Sequence, residues 1–223
     1  MDFLNALILL LNYIFVPALA YGSQLAIGAI FVTLIYGILR FANFATGDMM
    51  SFGTMVAILF TWYFQSLGLS LGFLPTALLA IPFAILFMGL YMLIIDKFVF
   101  KYYRLNKSPP VQLAMVSIGV MFVTQAVVRI IIGPSDRRFF DGEKFLIKAN
   151  EFKEMTGLNE GLAIKSTQVI TIVVTIILVS TLFWFLNKTK TGKSMRAYSD
   201  NEDLALLSGI DPKKIVMITW MIA

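Results

Sequence analysis

Apolar residues fill this chain in long runs, and the polar positions that separate them fall in short clusters. The runs at 20–39, 45–65, 73–95, 111–132 and 167–186 are each close to the ~20 residues that a helix needs to cross a bilayer. An earlier run at 3–20 is broken by Asn5, Asn12 and Pro17. Asn5 and Asn12 stand seven residues apart and share a helical face, which fits either a first span packed through that face or an interfacial helix. No Lys or Arg precedes this run, which argues against a cleaved signal peptide. Gly22, Ser23, Ala26 and Gly28 suit close helix packing, and Pro75 and Pro82 are tolerable where neighbouring helices satisfy the freed carbonyls.

The polar clusters carry the information on topology. The stretch 96–110, DKFVFKYYRLNKSPP, sets Lys97, Lys101, Arg104 and Lys107 against a single acid, so it is expected on the cytoplasmic side, with Tyr102 and Tyr103 as interfacial anchors. Acids and bases balance in 133–166, which reads as an external loop opened by the turn residues Gly133, Pro134 and Ser135. Lys188, Lys190, Lys193 and Arg196 mark 187–214 as a second cytoplasmic loop, two spans from the first and therefore on the same side. Within it Ser199 with Glu202, and Asp200 with Asp203, fit a helix-capping pattern, Gly209 suits a stop, and Asp211 caps a further helix with Pro212 at its first position. The apolar run from 215 to 223 has nine residues, too few to cross, so the sequence is expected to be a C-terminally truncated piece of a longer protein. The seam at 36–53, YGILRFANFATGDMMSFG, joins two spans at the same cytoplasmic side. There Thr46 is expected to cap the following helix and Asp48 to occupy its favourable first turn.

Composition narrows the chemistry. With 59% hydrophobic and 14% charged residues and a mean hydropathy of +0.83, the chain reads as an integral membrane protein. It has no cysteine and no histidine, which excludes disulfides, thiolate or imidazole metal sites, catalytic triads and histidine proton relays. The net charge of +5 lies in short loops, so it reads as an orientation signal and not as a nucleic-acid surface. Gly192, Lys193 and Ser194 imitate the end of a phosphate-binding loop, but Asn187 stands where its first glycine would be and no strand precedes it, so the chain is not expected to bind ATP itself.

Two motifs resemble a known family. TGKSMRAYSDNEDLALLSGIDPKKI resembles the cytoplasmic loop of ABC importer permeases, most closely the LivH/LivM type that imports branched-chain amino acids: Gly192, Lys193, Arg196, Ala197, Glu202, Asp203, Leu207, Gly209 and Ile210 fit, while Ser194 and Tyr198 depart. The seam is similar to the family's Y-G-x-x-x-x-x-N-F-A-H-G-E-x-x-x-x-G, with Tyr36, Gly37, Asn43, Phe44, Ala45, Gly47 and Gly53 in agreement, Thr46 in place of His and Asp48 in place of Glu. The resemblance implies an all-α, polytopic transmembrane helix bundle of an ABC importer permease in the bacterial inner membrane. It implies a second permease subunit, separate ATP-binding subunits that hold the ATP, and a periplasmic substrate-binding protein. Ser199, Glu202, Asp203, Leu204, Ala205, Leu207 and Gly209 would then couple to the ATPase, and Asn43, Thr46, Gly47 and Asp48 become candidates for the substrate pathway or its gate.

Plainer readings stand beside these. The docking residues could merely cap and end a surface helix, and the seam residues could be structural. Arg129 reads as a charge snorkelling from a helix end, Gln112 and Gln125 as interhelical hydrogen-bond partners, and Arg137 and Arg138 as a solvated face. Relatives of this permease type also carry urea and short amides. A self-sufficient channel or secondary transporter is the rival from another class, against which stand the few acids within the spans. A membrane scaffold that only recruits a soluble partner is a third.

Overall fold

A computed structural model describes residues 2–69, 71–72, 74–139 and 144–222. Phe73 of the expected span 73–95, residues 140–143 of the expected external loop 133–166 and Ala223 of the last apolar run lie outside the described residues. The chain is helical almost throughout: α1 (Asp2–Leu10), α2 (Val16–Leu39), α3 (Thr46–Ser66), α4 (Ala77–Ile95), α5 (Lys101–Leu105), α6 (Pro110–Ile132), α7 (Ala149–Thr156), α8 (Ser166–Lys188), α9 (Lys190–Asp200), α10 (Glu202–Leu207) and α11 (Pro212–Ile222). Among the described residues four helical segments are long and apolar enough to cross a membrane: Phe3–Leu39, Ala77–Leu105, Pro110–Ile132 and Ser166–Lys188. This is an all-α, multi-pass membrane architecture.

The stretches expected separately at 3–20 and 20–39 form one unbroken helix of 37 residues. At a rise of ~1.5 Å per residue that is about 55 Å, well beyond a hydrocarbon core of ~30 Å. Nothing near Ala20 supplies a turn, and Pro17 is absorbed by a π turn at Leu11–Phe15, in which the Val16 N–H reaches back five residues to Leu11 O. A second π turn, Asp96–Phe100, carries α4 into α5, with the Lys101 N–H on Asp96 O. The basic stretch expected as a loop is therefore helical as far as Leu105. The expected span 45–65 coincides with α3, which is long enough to cross but is not among the four most apolar segments, since Asp48, Gln65 and several hydroxyls dilute it.

The chain divides into two compact units. The first comprises residues 1–29, 71–75 and 141–183. In it β1 (Phe145–Ile147) pairs antiparallel with β2 (Ile164–Lys165), and α7 between them ends at Gly157 in the left-handed conformation, φ +66°. Asn12, within the π turn, accepts the Ala163 N–H at 3.3 Å and donates to Gly161 O at 3.5 Å, while Asn5 Oδ1 is buried with no partner among the described residues. A Cβ at Gly161 would collide with the Ala149 carbonyl, so this crossing requires glycine.

The second unit comprises residues 30–70, 76–140 and 184–223. Here α3 packs against α4 and α6. Its core gathers Ile35, Phe41, Ala45, Met49, Phe100 and Trp220, with Phe100 stacked on Trp220 and tilted against Phe41, each at a ring distance of 5.2 Å. Phe52 stacks on Tyr91 at 4.1 Å, and the Tyr91 hydroxyl meets Thr124 Oγ1 at 2.7 Å, which satisfies both polar tips inside the bundle.

Candidate functional site

The polar seam is built by ending one helix and starting another beside a third. Arg40 stops α2 by adopting φ +57°, its N–H still bonded to Tyr36 O at 3.0 Å. A left-handed non-glycine residue costs about 1–2 kcal/mol, so something must hold it. Its guanidinium does so, donating to Ser199 O at 2.9 Å and Asp200 O at 3.2 Å in the last turn of α9. In return the Ser199 hydroxyl donates to Gly37 O at 2.7 Å in the last turn of α2. Each helix thus satisfies free carbonyls of the other, and the arginine cation sits at the negative end of the α9 dipole.

Beyond Arg40 the backbone is fixed turn by turn. Asn43 Oδ1 accepts the Ala45 N–H at 3.1 Å, and the Thr46 hydroxyl donates to Asn43 O at 2.9 Å. Thr46 therefore does not cap α3 as the sequence suggested: its oxygen faces back into the turn, and the Asn43 side chain takes the local amide instead. The Phe44 N–H donates to Ser117 Oγ of α6 at 3.0 Å. Ser117 is seven residues past Pro110, so the seam meets α6 roughly 10 Å along its length. Asp48 sits in the first turn of α3, as expected, and with Ser51, Thr54, Gln125 and Arg129 lines a groove of about 390 Å³ between α3 and α6. Arg129, which the sequence assigned to snorkelling, shares that groove.

The segment that follows α8 begins where Thr189 Oγ1 accepts the Gly192 N–H at 3.0 Å. A Cβ at Gly192 would overlap the Phe185 carbonyl and the Leu186 backbone, so α9 can fold back on α8 only through glycine. Met195 and Tyr198 are buried, and the Tyr198 hydroxyl donates to Glu202 Oε1 at 2.7 Å. Burial, followed by the hydrogen bond and charge of Glu202, raises the Tyr198 phenol well above its usual range and outweighs the opposite pull of Arg104 and Arg40. The cap of α10 is Asn201, whose Oδ1 accepts the Leu204 N–H at 3.0 Å; Ser199 and Asp200, which the sequence pattern favoured, lie inside the last turn of α9. Gly209 closes α10 at φ +80°, its N–H on Leu206 O and the Ile210 N–H on Ala205 O. Asp211 Oδ1 accepts the Lys213 N–H at the start of α11.

The sequence model of permease components of branched-chain amino acid transport systems matches residues 14–223. The chain belongs to this family. Among curated proteins it is similar to the high-affinity branched-chain amino acid transport system permease protein LivH of Escherichia coli strain K12, 26% identical over 205 residues, covering 90% of this chain and 63% of the relative. LivH of Salmonella typhimurium matches to the same extent. BraD of Pseudomonas aeruginosa, also named as a permease of such a system, is 24% identical over 209 residues, covering 93% of this chain and 65% of the relative. The chain thus spans less than two thirds of the length of these relatives. No solved structure matches it significantly.

Within this permease chain the two family-like motifs meet. Ser199 of the loop motif bonds Gly37 of the seam motif, 162 residues away in sequence. Asn43, Thr46, Gly47 and Asp48 lie on one turn and its continuation into α3. Of the loop residues, Ala205 is buried, Glu202 is held by Tyr198, and Leu204 and Leu207 stand outward at 61% and 84% exposure. The sequence marks Arg40 only as a polar residue of the seam and gives Asn201 no role, because neither departs from what a basic loop or a polar linker ordinarily contains.

Proposed function

We propose that this chain is a permease subunit of a binding-protein-dependent ABC importer that moves branched-chain or related amino acids across the bacterial inner membrane. In this reading a second permease subunit completes the pathway, a periplasmic protein delivers the substrate, and ATP is bound and hydrolysed by separate subunits. The basic residues of 96–110 and 187–214 face the cytoplasm, where the ATP-binding subunits dock on α10 through Leu204 and Leu207, with Glu202, Asp203 and Gly209 shaping that helix. The seam residues Asn43, Thr46 and Gly47 form the gate, and the groove that holds Asp48 and Arg129 offers a carboxylate and a guanidinium to the ammonium and carboxylate of an amino acid.

The observation that carries the reading is the reciprocal bond between seam and docking segment, Ser199 to Gly37 and Arg40 to Ser199 and Asp200. A load applied to α10 reaches the break between α2 and α3 through these bonds, which gives ATP-dependent docking a route to the pathway. In the complete transporter in proteoliposomes, Arg40→Ala combined with Ser199→Ala is expected to leave ATP hydrolysis running while uptake falls by about tenfold or more. Undiminished uptake per ATP in that variant would remove the mechanical reading.

A further inference from the structure

Where α4 and α5 meet α11, the structure holds a recess of about 430 Å³, apart from the groove between α3 and α6. Its polar floor is already satisfied. Arg104 grips both oxygens of Asp96, at 2.6 and 3.0 Å, and Tyr198 engages Glu202. Lys97, Lys101 and Lys213 stand around the rim, all exposed, and no ion pair among the described residues engages them. Lys97 lies over the Phe98 ring at 5.9 Å, a contact that leaves its ammonium open to an anion. One wall is apolar, formed by Leu93, Val216 and Met217, and Leu93 belongs to the segment Ala77–Leu105 that is apolar enough to cross a membrane. The recess therefore has cations at its mouth and hydrocarbon-like surface running from them into a membrane helix.

We propose that this recess binds an anionic phospholipid, its phosphate between Lys97, Lys101 and Lys213 and an acyl chain along Leu93, Val216 and Met217. Arg104 neutralises Asp96, and Glu202, held by the neutral Tyr198 hydroxyl, offsets one lysine, so the lining still presents net positive charge to a ligand. A soluble phosphate would meet that charge but leave the apolar wall in water, whereas a lipid covers both. The long lysine stems reach from the helix surface to the headgroup level, as snorkelling side chains do.

Native mass spectrometry of the detergent-purified chain, mixed in turn with phosphatidylglycerol and with phosphatidylcholine of the same acyl chains, tests this. Preferential retention of phosphatidylglycerol is expected, weakened about fivefold for each lysine replaced in Lys97→Gln, Lys101→Gln and Lys213→Gln, and restored in the corresponding arginine variants. Lys107→Gln and Lys214→Gln, outside the recess, should retain the lipid as the wild type does. Equal retention of both lipids by the wild-type chain would overturn the proposal, and this comparison holds even if a variant fails to fold. Displacement of phosphatidylglycerol by millimolar inorganic phosphate would also overturn it, reassigning the recess to a free anion. Retention unchanged when all three lysines are glutamine would place the lipid elsewhere.

Discussion

Tyr198 shows how one side chain can link α9 to α10. The residue departs from the family-like motif, yet it is buried, and its hydroxyl holds Glu202 across the join of α9 and α10. Because the phenol is neutral in the folded chain well above its ordinary pKa of 10.0, the unfolded chain loses this proton first as pH rises. The contribution of this group is thus fully present and independent of pH near neutrality, and stability declines once the pH exceeds about 10, where unfolding releases a proton that the native state keeps. Tyr198→Phe is expected to cost about 1 kcal/mol at pH 7 through the lost hydrogen bond. It should also flatten the alkaline decline. Thermal unfolding in detergent between pH 7 and 11 measures both, and an identical alkaline slope in the two proteins would show that Tyr198 does not titrate on unfolding.

At the scale of elements, α10 separates a buried face from an outward one within six residues. Ala205 packs into the cluster of Ile38, Met195 and Ile215, while Leu207 is 84% exposed and makes no part of that core. Leu207→Asp should leave the unfolding temperature unchanged and abolish co-purification with the ATP-binding subunit. Ala205→Asp should instead lower the unfolding temperature, because it buries a carboxylate in an apolar cluster. If both variants still co-purify and only stability moves, α10 is an ordinary surface helix and not a docking element. The existence of this helix was legible: a polar start, four apolar residues and a glycine stop mark it from the sequence. Its cap was not. Ser199, Asp200 and Asn201 all qualify by type, and the choice falls to Asn201 because Arg40 holds α9 helical through Asp200 from 160 residues away. The single helix of Phe3–Leu39 escaped because Pro17 reads as a break in the sequence, while in the structure the π turn at Leu11–Phe15 absorbs it.

For the whole molecule, the long apolar runs announce a multi-pass helical protein before any contact is known, because only helices satisfy their own backbone in hydrocarbon. What the runs do not convey is which intramembrane polar residues face each other. Asp48 and Arg129 belong to different helices, and only the packing of α3 on α6 brings them to one groove. If that groove carries a zwitterion, losing either charge leaves the opposite end of the substrate without a partner in a confined site. Asp48→Asn and Arg129→Gln, each in the complete transporter, are then expected to reduce amino-acid uptake by about tenfold or more. Asp48→Asn should act through the ammonium end, and Arg129→Gln should bring uptake of the amino acid down toward that of its amide, which lacks the carboxylate. Uptake assays with the amino acid and its amide in parallel separate these effects. Should the wild type carry the amide as well as the acid, and Arg129→Gln alter neither, the groove would not read the carboxylate, and a neutral solute such as urea or a short amide would become the better substrate for this permease.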